Sequence, residues 1–397
     1  MNPSDRPAIR LLPGRDKRVR AGHPWIYSNE IDMSAEAKSL SPGSLVAVIS
    51  DNGRPLGTAT FNPHALIAAR VLSPNGAVAV DADFLADRFS RALSLRARLY
   101  AEPFYRLIHA EADGLGGLIV DRFGDVLVVQ LTTAGMERLG EAVIAGLEQA
   151  LQPRVIVLRC DSSVREAGAG EAYVRVAKGT LDEAVEIPEG RVRFLADLKG
   201  GQKTGWYFDQ RDNRLFMAGL AGQGRVLDVY CYAGGFALQA AAAGAREVLA
   251  VDRSADALAL AERTAVLNGL EGRCRFERAE AFAALQRLAA EDARFDLVIA
   301  DPPAFVKSRK DLAVGIRGYR KLIGLAASTV APGGFLFVAS CSHNVDEATF
   351  AEQVRRGLQR AGRSGRIIRR AGAGPDHPVH ASLPETAYLK AEVLQLD

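Results

Sequence analysis

Beyond about Arg191, short apolar strands alternate with helices, and this pattern constrains the fold more than any other feature of the sequence. The strand candidates are Val226–Val229, Val248–Val251, Cys274–Glu277, Leu297–Ala300 and Phe335–Ala339. The helical stretches between them are Phe236–Ala243, Ala255–Asn268, Ala281–Ala290 and Tyr319–Val330. Repeated strand–helix units predict a parallel sheet covered on both faces, with ligands bound at the carboxyl ends of the strands. We therefore expect an α/β fold whose functional residues directly follow the strands.

The first 190 or so residues follow a different pattern. Short strands broken by turn residues predict a small β-barrel or sandwich; they are Ser44–Ile49, Gly57–Phe61 and Ile67–Val71, with a hairpin turn at Asp51-Asn52-Gly53. A helical pattern over residues 83–100 and further strands then predict an α+β zone. A chain of 397 residues is long enough for two or three cores. We predict three domains: a β-barrel over residues 1–78, an α+β linking domain over 79–189 and the α/β domain over 190–397.

Composition limits the possible partners and the compartment. The net charge is only +3, so any attraction for nucleic acid must be local. One local surplus opens the chain, where six basic residues face two acids: Arg6, Arg10, Arg15, Lys17, Arg18 and Arg20 against Asp5 and Asp16. Neither a signal peptide nor a membrane span is expected, because no long apolar run occurs. Four cysteines without a Cys-x-x-Cys pair indicate reduced thiols in a cytoplasmic protein and no zinc site.

The residues after the first three strands of the α/β region predict a nucleoside site. Asp228-Val229-Tyr230-Cys231-Tyr232-Ala233-Gly234-Gly235-Phe236 follows the first strand, and a Gly-Gly pair at such a turn lets the backbone approach a ligand closely. The second strand ends in Asp252, whose carboxylate can accept hydrogen bonds from both ribose hydroxyls. After the third strand, Glu280 can hold an adenine amino group and Phe282 can pack near the ring.

A dinucleotide is the alternative ligand for this site. The fingerprint G-x-G-x-x-G is absent, and Asp228 would repel a pyrophosphate but pair well with the ammonium of an amino-acid group. The residues therefore favour S-adenosylmethionine. Cys231, in the same loop, is interpreted as a small, partly buried apolar residue.

Two prolines follow the fourth strand, in Asp301-Pro302-Pro303-Ala304-Phe305. They force an extended, rigid loop and remove two backbone donors, so that Asp301 can be held against a flat substrate. A simple helix stop is the alternative explanation, and the position directly after a strand favours the substrate loop.

The fifth strand ends in Ala339-Ser340-Cys341-Ser342-His343. Strands four and five are usually adjacent in this kind of sheet, so Asp301 and Cys341 should face one another. A thiolate that adds to carbon 6 of cytosine makes carbon 5 nucleophilic towards a sulfonium methyl, and a proton from Asp301 at N3 stabilises the developing charge. His343 or a water is the candidate base for the carbon 5 proton. A buried structural cysteine is the alternative role for Cys341, and it is the role assigned to Cys160 and Cys274.

Together these motifs resemble class I methyltransferases of the bacterial large-subunit ribosomal RNA cytosine-5 methyltransferase I type. Gly201–Arg211 resembles the family's lead-in to the cofactor site, residues 228–236 its first cofactor motif, and residues 301–305 and 340–343 its two substrate motifs.

The opening of the chain fits the same family. Leu12-Pro13-Gly14 and Gly22-His23-Pro24-Trp25-Ile26-Tyr27 resemble the PUA domain, a small RNA-binding β-barrel. The resemblance covers almost the whole chain. It implies an α/β, Rossmann-like class I methyltransferase sheet preceded by a PUA β-barrel and an α+β linking domain.

The resemblance also implies roles for single residues. The cofactor S-adenosylmethionine would be bound by Phe208, Arg211, Asp228, Tyr232, Gly234, Asp252, Glu280 and Asp301. Cys341 and Asp301 would be catalytic, and the expected substrate contacts are Pro302, Pro303, Phe305, Lys307 and His343. Glu280 stands where many relatives carry Asp, and Ala304 stands where many RNA cytosine-5 methyltransferases carry a second cysteine. The latter departure agrees with a single-cysteine scheme.

Basic side chains after the fourth strand predict a positively charged rim beside this site, the basic lip, which would bind RNA phosphates. The alternative is that these side chains form an ordinary solvent-exposed face. They are Lys307, Arg309, Lys310, Arg317, Arg320 and Lys321. A second cluster has a spacing typical of an exposed helix face: Arg355, Arg356, Arg360, Arg363, Arg366, Arg369 and Arg370. The expected partner is ribosomal RNA, with 23S RNA favoured and the target base unstacked. A homodimer is also expected, and a membrane is not.

Three other functions stay open at this stage. Amino methylation of guanine or adenine uses a similar Pro-Pro loop followed by an aromatic residue, but here Ala304 follows the prolines. A non-catalytic RNA-binding protein would not need Asp301 and Cys341. A dehydrogenase is disfavoured by the missing dinucleotide fingerprint.

Overall fold

The structure is a computed structural model and describes residues 6–161, 165–166 and 168–397. The chain divides into two compact units. One comprises Met1–Glu183, Leu198–Trp206 and Pro375–Thr386; the other comprises Ala184–Asp197, Tyr207–Gly374 and Ala387–Asp397. Each unit is therefore built from three separate stretches of the chain. Asp5, which was counted in the basic opening, lies outside the described residues.

The first unit begins with a small sheet of five strands. They are β1 Ala8–Arg10, β2 Trp25–Tyr27, β3 Ser44–Ile49, β4 Pro55–Phe61 and β5 Ile67–Ser73, accompanied by the short helices α1 Lys17–Arg20 and α2 Ala35–Ser39. The strand order is β1-β3-β4-β5-β2, and only the β1–β3 pair is parallel. Val46 and Val48 of β3 are buried while their neighbours are more exposed, as expected for a strand with one face on a core. The predicted hairpin turn connects β3 to β4, with Gly53 in the left-handed region at φ +83°.

The same unit contains a second five-stranded sheet covered by helices. Its elements are α3 Ala82–Leu99, β6 Phe104–His109, β7 Leu118–Phe123, β8 Val126–Leu131, α4 Ala134–Arg138, α5 Gly140–Leu151, β9 Val155–Arg159 and β10 Val174–Lys178. The order is β10-β9-β8-β7-β6. The Asp81 side chain accepts the Phe84 amide at 3.0 Å and so begins α3. Leu85 and Phe89 of α3 are buried in the core of this sheet, which is the predicted α+β arrangement.

The second unit holds a two-stranded hairpin and a seven-stranded sheet. The hairpin is β11 Val185–Glu189 and β12 Val192–Ala196. The sheet consists of β13 Arg225–Val229, β14 Glu247–Asp252, β15 Cys274–Arg278, β16 Phe295–Ala300, β17 Val330–Ser340, β18 Gly365–Ala371 and β19 Lys390–Leu396. Its helices are α6 Arg211–Ala221, α7 Gly235–Ala242, α8 Ala255–Leu267, α9 Ala281–Ala290, α10 Leu312–Ser328 and α11 Glu347–Arg360. Of the helices that the structure describes, none is long and apolar enough to span a bilayer.

The strand order of the large sheet determines where a ligand can bind. The order is β15-β14-β13-β16-β17-β19-β18, parallel from β15 to β17, with β19 antiparallel to both of its neighbours. The central strands β13 and β16 are apolar and buried, as strands covered on both faces must be. After β13 the chain adds β14 and β15 on one side of this strand. It then adds β16 and β17 on the other side. The crevice at this switch point, at the carboxyl ends of the strands, is the expected ligand site.

All five predicted strands of this sheet are present, but two further strands were not predicted. β18 has the sequence Gly-Arg-Ile-Ile-Arg-Arg-Ala and is largely exposed, so no apolar run marks it. The interpretation of the second arginine cluster as one helix face is wrong for this reason. Helix α11 ends at Arg360, Gly362 adopts φ +64°, and Arg366, Arg369 and Arg370 lie on β18.

Candidate active site

The carboxyl edge of the large sheet carries most of the predicted site residues. Asp228 lies in β13, Asp252 ends β14, and Asp301 and Cys341 directly follow β16 and β17. β16 and β17 are hydrogen-bonded neighbours, with Ala300 paired to Val338. Because parallel strands end at the same edge of a sheet, Asp301 and Cys341 follow neighbouring strands at the same edge.

Asp228 is buried at this edge, with 1% of its surface exposed. Its Oδ2 accepts the Ala237 amide in the first turn of α7 at 3.0 Å, whereas Oδ1 has no hydrogen-bond partner among the described residues. Burial raises the pKa of Asp228 well above its usual value, and the charges of Asp301 and Asp252 raise it further, against the lowering effect of the Ala237 amide. A buried carboxyl oxygen without a donor is costly. Asp228 therefore fits the ammonium group of an amino-acid moiety.

The loop after β13 has an unusual backbone. Tyr230, Tyr232 and Gly234 all adopt left-handed conformations, with φ of +64°, +50° and +77°. For a residue other than glycine this costs on the order of 1–3 kcal/mol, and such strain clusters at ligand sites. A Cβ atom on Gly234 would lie 3.1 Å from Leu238 Cδ1, so the turn favours glycine for space as well as conformation. Cys231 is buried, as predicted for a packing residue.

Asp252 is held rigidly beside this loop. Its Oδ2 accepts the Tyr232 amide and its Oδ1 accepts the Ser254 amide, both at 2.9 Å. A carboxylate oxygen can accept more than one hydrogen bond, so both atoms can still receive a ribose hydroxyl. Glu280 is exposed at the start of α9 and makes no cap bond there. The Phe282 ring, two residues beyond Glu280, lies 6.2 Å from that of Phe305 in a stacked orientation.

Phe208 and Arg211 are held by their own neighbours. Phe208 is buried, and the Arg211 guanidinium lies 5.1 Å from the centre of its ring. Arg211 Nε is 3.7 Å from a Glu189 carboxylate oxygen, and Arg214 donates two hydrogen bonds of 2.6 Å to the same carboxylate. This cluster ties α6 to the β11–β12 hairpin. A contact of Phe208 or Arg211 with the cofactor stays a prediction.

The two prolines after β16 differ in exposure. Asp301 is half-buried, Pro302 is buried and Pro303 is exposed, so Pro303 offers the more open surface. The ring of Phe305 packs 4.7 Å from that of Tyr319 in α10. Lys307 is exposed, and its backbone carbonyl accepts the Asn344 side-chain amide at 3.5 Å.

Ser342 joins the loops that follow β16 and β17. Its buried hydroxyl accepts the Val306 amide at 3.1 Å and shares a 2.8 Å hydrogen bond with the Tyr319 phenol. The Tyr319 phenol in turn accepts the Phe305 amide at 3.4 Å. The Ser342 side chain thereby links the loop that contains Pro302 and Pro303, the proline loop, to the loop that contains Cys341, the cysteine loop.

Cys341 is partly exposed, unlike a cysteine packed in an apolar core. It also shares a neighbour with Asp301. Burial raises the pKa of the Tyr207 phenol well above its usual value, and the charges of Tyr232, Asp209, Asp301 and Cys341 raise it further. The Tyr207 ring stands at 89° to the Tyr232 ring, with 5.4 Å between their centres. The cofactor loop therefore contacts Tyr207, and Asp301 and Cys341 both influence the pKa of its phenol.

In the other three cysteines, burial disfavours the thiolate. Burial raises the pKa of Cys160, of Cys231 and of Cys274, the last to about 12. A thiol with a raised pKa is a poor nucleophile at neutral pH. These residues agree with the structural role assigned to them.

His343 is exposed, and its ring centre lies 5.4 Å from that of Tyr388. The Tyr388 hydroxyl donates to Asp209 Oδ2 at 2.5 Å. Tyr207, Ser342, Tyr388 and Lys390 were not predicted as site residues. Tyr207 and Ser342 stand within motifs that were recognised, whereas Lys390 begins β19 and Tyr388 lies just before it, in a region where no element was predicted.

The expected basic lip is largely exposed. Lys307, Arg309, Lys310, Arg317 and Lys321 are exposed, whereas Arg320 donates two hydrogen bonds to the Gln353 side chain. In the second cluster, Arg355 and Arg356 both pair with Glu352.

Comparison with known proteins identifies the family. A family model described as a PUA-like domain matches residues 9–74, and one described as S-adenosylmethionine-dependent methyltransferase matches residues 112–391. The ribosomal RNA large subunit methyltransferase I of Pseudoalteromonas atlantica is 36% identical over 392 residues, which cover 98% of this chain and 99% of that protein.

Solved structures show the same fold. A SAM-dependent methyltransferase from Streptococcus mutans has a TM-score of 0.82 at 20% identity, covering 98% of this chain and 100% of its own. SMU.776, complexed with SAH, has a TM-score of 0.84 at 19% identity with the same coverage. The predicted α/β fold with its preceding PUA-like domain is confirmed, and S-adenosylmethionine is the cofactor. The chain belongs to the ribosomal RNA large subunit methyltransferase I family of S-adenosylmethionine-dependent methyltransferases.

Proposed function

We propose that this enzyme methylates carbon 5 of a cytosine in ribosomal RNA, with 23S RNA as the substrate and Cys341 as the nucleophile. The observation that carries the proposal is that the partly exposed Cys341 directly follows β17, while Asp301 directly follows the neighbouring strand β16. The RNA substrate is inferred from relatives named as ribosomal RNA large subunit methyltransferases. Such a substrate would place the enzyme in the cytoplasm.

The cofactor residues suit this reaction. When bound, S-adenosylmethionine supplies an electrophilic methyl group on a sulfonium centre. Asp228 Oδ1 would accept from the ammonium of its amino-acid part, Asp252 from the ribose, and Glu280 from the adenine amino group. Tyr232 and Gly234 form the strained turn between these carboxylates. Phe208 and Arg211 would also contact the cofactor.

The chemical steps follow from the reactivity of cytosine. Carbon 5 is a weak nucleophile, so the Cys341 thiolate first forms a bond to carbon 6, and the electrons of the carbon 5–carbon 6 double bond become available at carbon 5. Asp301 donates a proton or hydrogen bond to N3 and stabilises the negative charge of the ring. Carbon 5 would take the methyl group as the bond between the methyl carbon and the sulfonium sulfur breaks, and a base then removes the carbon 5 proton. The double bond re-forms as the bond between carbon 6 and sulfur breaks, so the thiolate is recovered. His343 or a water is the candidate base.

The target base must leave its stack to reach Cys341. Pro303 and Phe305 can then support its face, while Lys307 and the exposed basic residues beyond it hold neighbouring phosphates. Single-stranded or looped RNA meets this requirement more readily than a duplex.

The test compares wild type, Cys341→Ala and the matched variant Cys274→Ala with labelled S-adenosylmethionine and 23S RNA. We expect 5-methylcytidine from wild type and from Cys274→Ala, and a loss of at least about 10³-fold in methyl transfer for Cys341→Ala, as is typical when a nucleophile is removed. Substantial activity of Cys341→Ala, or a product other than 5-methylcytidine, would show that the proposed chemistry is wrong.

A further inference from the structure

Lys390 is a buried lysine next to the cysteine loop. It is the first residue of β19, where it pairs with Ser340, the last residue of β17. Only 7% of its surface is exposed. Its ammonium donates a 2.7 Å hydrogen bond to the backbone carbonyl of Ser342. The peptide segment that carries Cys341 therefore has a positive charge on its β19 side.

A buried ammonium requires compensation, because leaving water is costly for a charge. An ammonium has three donors, and Ser342 O is the one acceptor that the described residues give Lys390. Across the described ranges, no carboxylate comes within ion-pair distance of its Nζ. Burial accordingly lowers the pKa of Lys390, and the charge of Cys341 is the largest influence that raises it again.

The other charges near Lys390 are weaker candidates for its counter-ion. Asp346 and Glu347 also raise its pKa, but both are exposed. Asp346 already accepts the Thr349 amide at 2.7 Å, at the start of α11. On β19 itself, Glu392 accepts a hydrogen bond from Arg370 of β18. On the other side of β17, Asp301 follows the neighbouring strand β16, and the exposed His343 follows Cys341 in the chain. Lys390 is therefore a buried cation that lies against the peptide carrying Cys341.

We propose that Lys390 is a positioning residue of the methyl-transfer reaction: its ammonium stabilises the thiolate form of Cys341 and fixes the peptide that follows it. The inference rests on the proposed role of Cys341 as the nucleophile. The thiol proton leaves to solvent, and the sulfur and the ammonium then form an ion pair. When the thiolate adds to carbon 6, its charge passes into the ring, and it returns when the carbon–sulfur bond breaks. Lys390 itself keeps its proton throughout.

The experiment measures the alkylation rate of Cys341 by iodoacetamide as a function of pH, with the modified peptide quantified by mass spectrometry. Wild type is compared with Lys390→Met, Lys390→Arg and the control Lys178→Met, which removes a lysine of the other unit that faces Glu148. We expect Lys390→Met to shift the midpoint of the profile to higher pH, with alkylation at neutral pH slower by about tenfold for each unit of that shift. Lys390→Arg should largely restore the wild-type profile, and Lys178→Met should not change it. Identical midpoints in wild type and Lys390→Met would overturn the inference.

A second measurement covers the case in which Lys390→Met does not fold, as shown by its thermal transition and its S-adenosylmethionine affinity. Wild-type Cys341 should then titrate below an ordinary cysteine although it is partly buried; a midpoint at or above the ordinary value would contradict the inference. Methyl transfer by Cys341→Ala separates the two proposals. If that variant is active, the nucleophile is misassigned. If it is inactive while Lys390→Met alkylates like wild type, only the role of Lys390 is wrong.

Discussion

At the scale of single residues, Asp228 combines two roles that are usually separate. Its Oδ2 begins α7 by accepting the Ala237 amide, while its Oδ1 lies buried without a donor among the described residues. Burial raises the pKa of Asp228, so the protein without ligand favours the protonated carboxyl more than an ordinary aspartate does. A ligand ammonium favours the carboxylate, so binding should release a proton.

This linkage has a definite sign. From mildly acidic towards neutral pH, S-adenosylmethionine affinity should rise, because less work is needed to remove the Asp228 proton as pH approaches the raised pKa. Calorimetry in two buffers of different ionisation enthalpy should detect the released proton. Asp228→Asn should bind S-adenosylmethionine more weakly and show little of this pH dependence. The control Glu277→Gln changes a carboxylate of β15 that pairs with Arg287, and it should behave like wild type. Affinity that falls as pH rises over this range would contradict the role of Asp228.

At the scale of elements, two loops act as one part of the site because Ser342 connects them. Ser342→Ala removes the acceptor of the Val306 amide and the partner of the buried Tyr319 phenol. We expect a loss of about 1–3 kcal/mol in unfolding free energy, the usual cost of a buried polar group left without its partner. Methyl transfer should fall while S-adenosylmethionine affinity stays close to that of wild type.

Ser328→Ala is the matched control for this prediction. Its hydroxyl donates only to the Leu325 carbonyl within α10, so chemical denaturation should give a loss below about 0.5 kcal/mol. Equal stability of Ser342→Ala and wild type would mean that the two loops are held together by other contacts.

At the scale of the whole molecule, a net charge of +3 leaves RNA binding to local clusters. Replacing Lys307, Arg309 and Lys310 with alanine should weaken RNA binding and reduce the slope of log affinity against log salt by about 2, if each residue contacts one phosphate of single-stranded RNA. The control replaces Arg154, Arg193 and Arg287, which are exposed and each paired with a carboxylate. An equal change of slope in both triple variants would indicate that the overall charge of the protein, and not the basic lip, attracts the RNA. The predicted homodimer can be checked by sedimentation on the same samples.

Sequence predicted best what depends on apolar runs and turn residues. Four parallel strands of the large sheet, β13, β14, β16 and β17, were found because buried strands must be apolar, and their ends located Asp228, Asp252, Asp301 and Cys341. β18 was missed since an exposed, arginine-rich strand lacks such a run, and the buried β19 was missed because Lys390 and Glu392 interrupt its apolar residues. The role of Lys390 depends on its pairing with Ser340 across the sheet, which no local pattern encodes. The division into domains at residues 78 and 189 stays a prediction.

The most direct test of the central claim is covalent trapping on RNA that contains 5-fluorocytidine. Fluorine at carbon 5 cannot leave as a proton would, so the bond between the enzyme and carbon 6 should persist after methyl transfer. We predict a covalent complex that requires S-adenosylmethionine, resists denaturation, and yields a nucleotide-bearing peptide containing Cys341. Cys341→Ala should give none, and Cys274→Ala should give the wild-type amount. A complex that forms in Cys341→Ala, or one attached through another residue, would contradict the account.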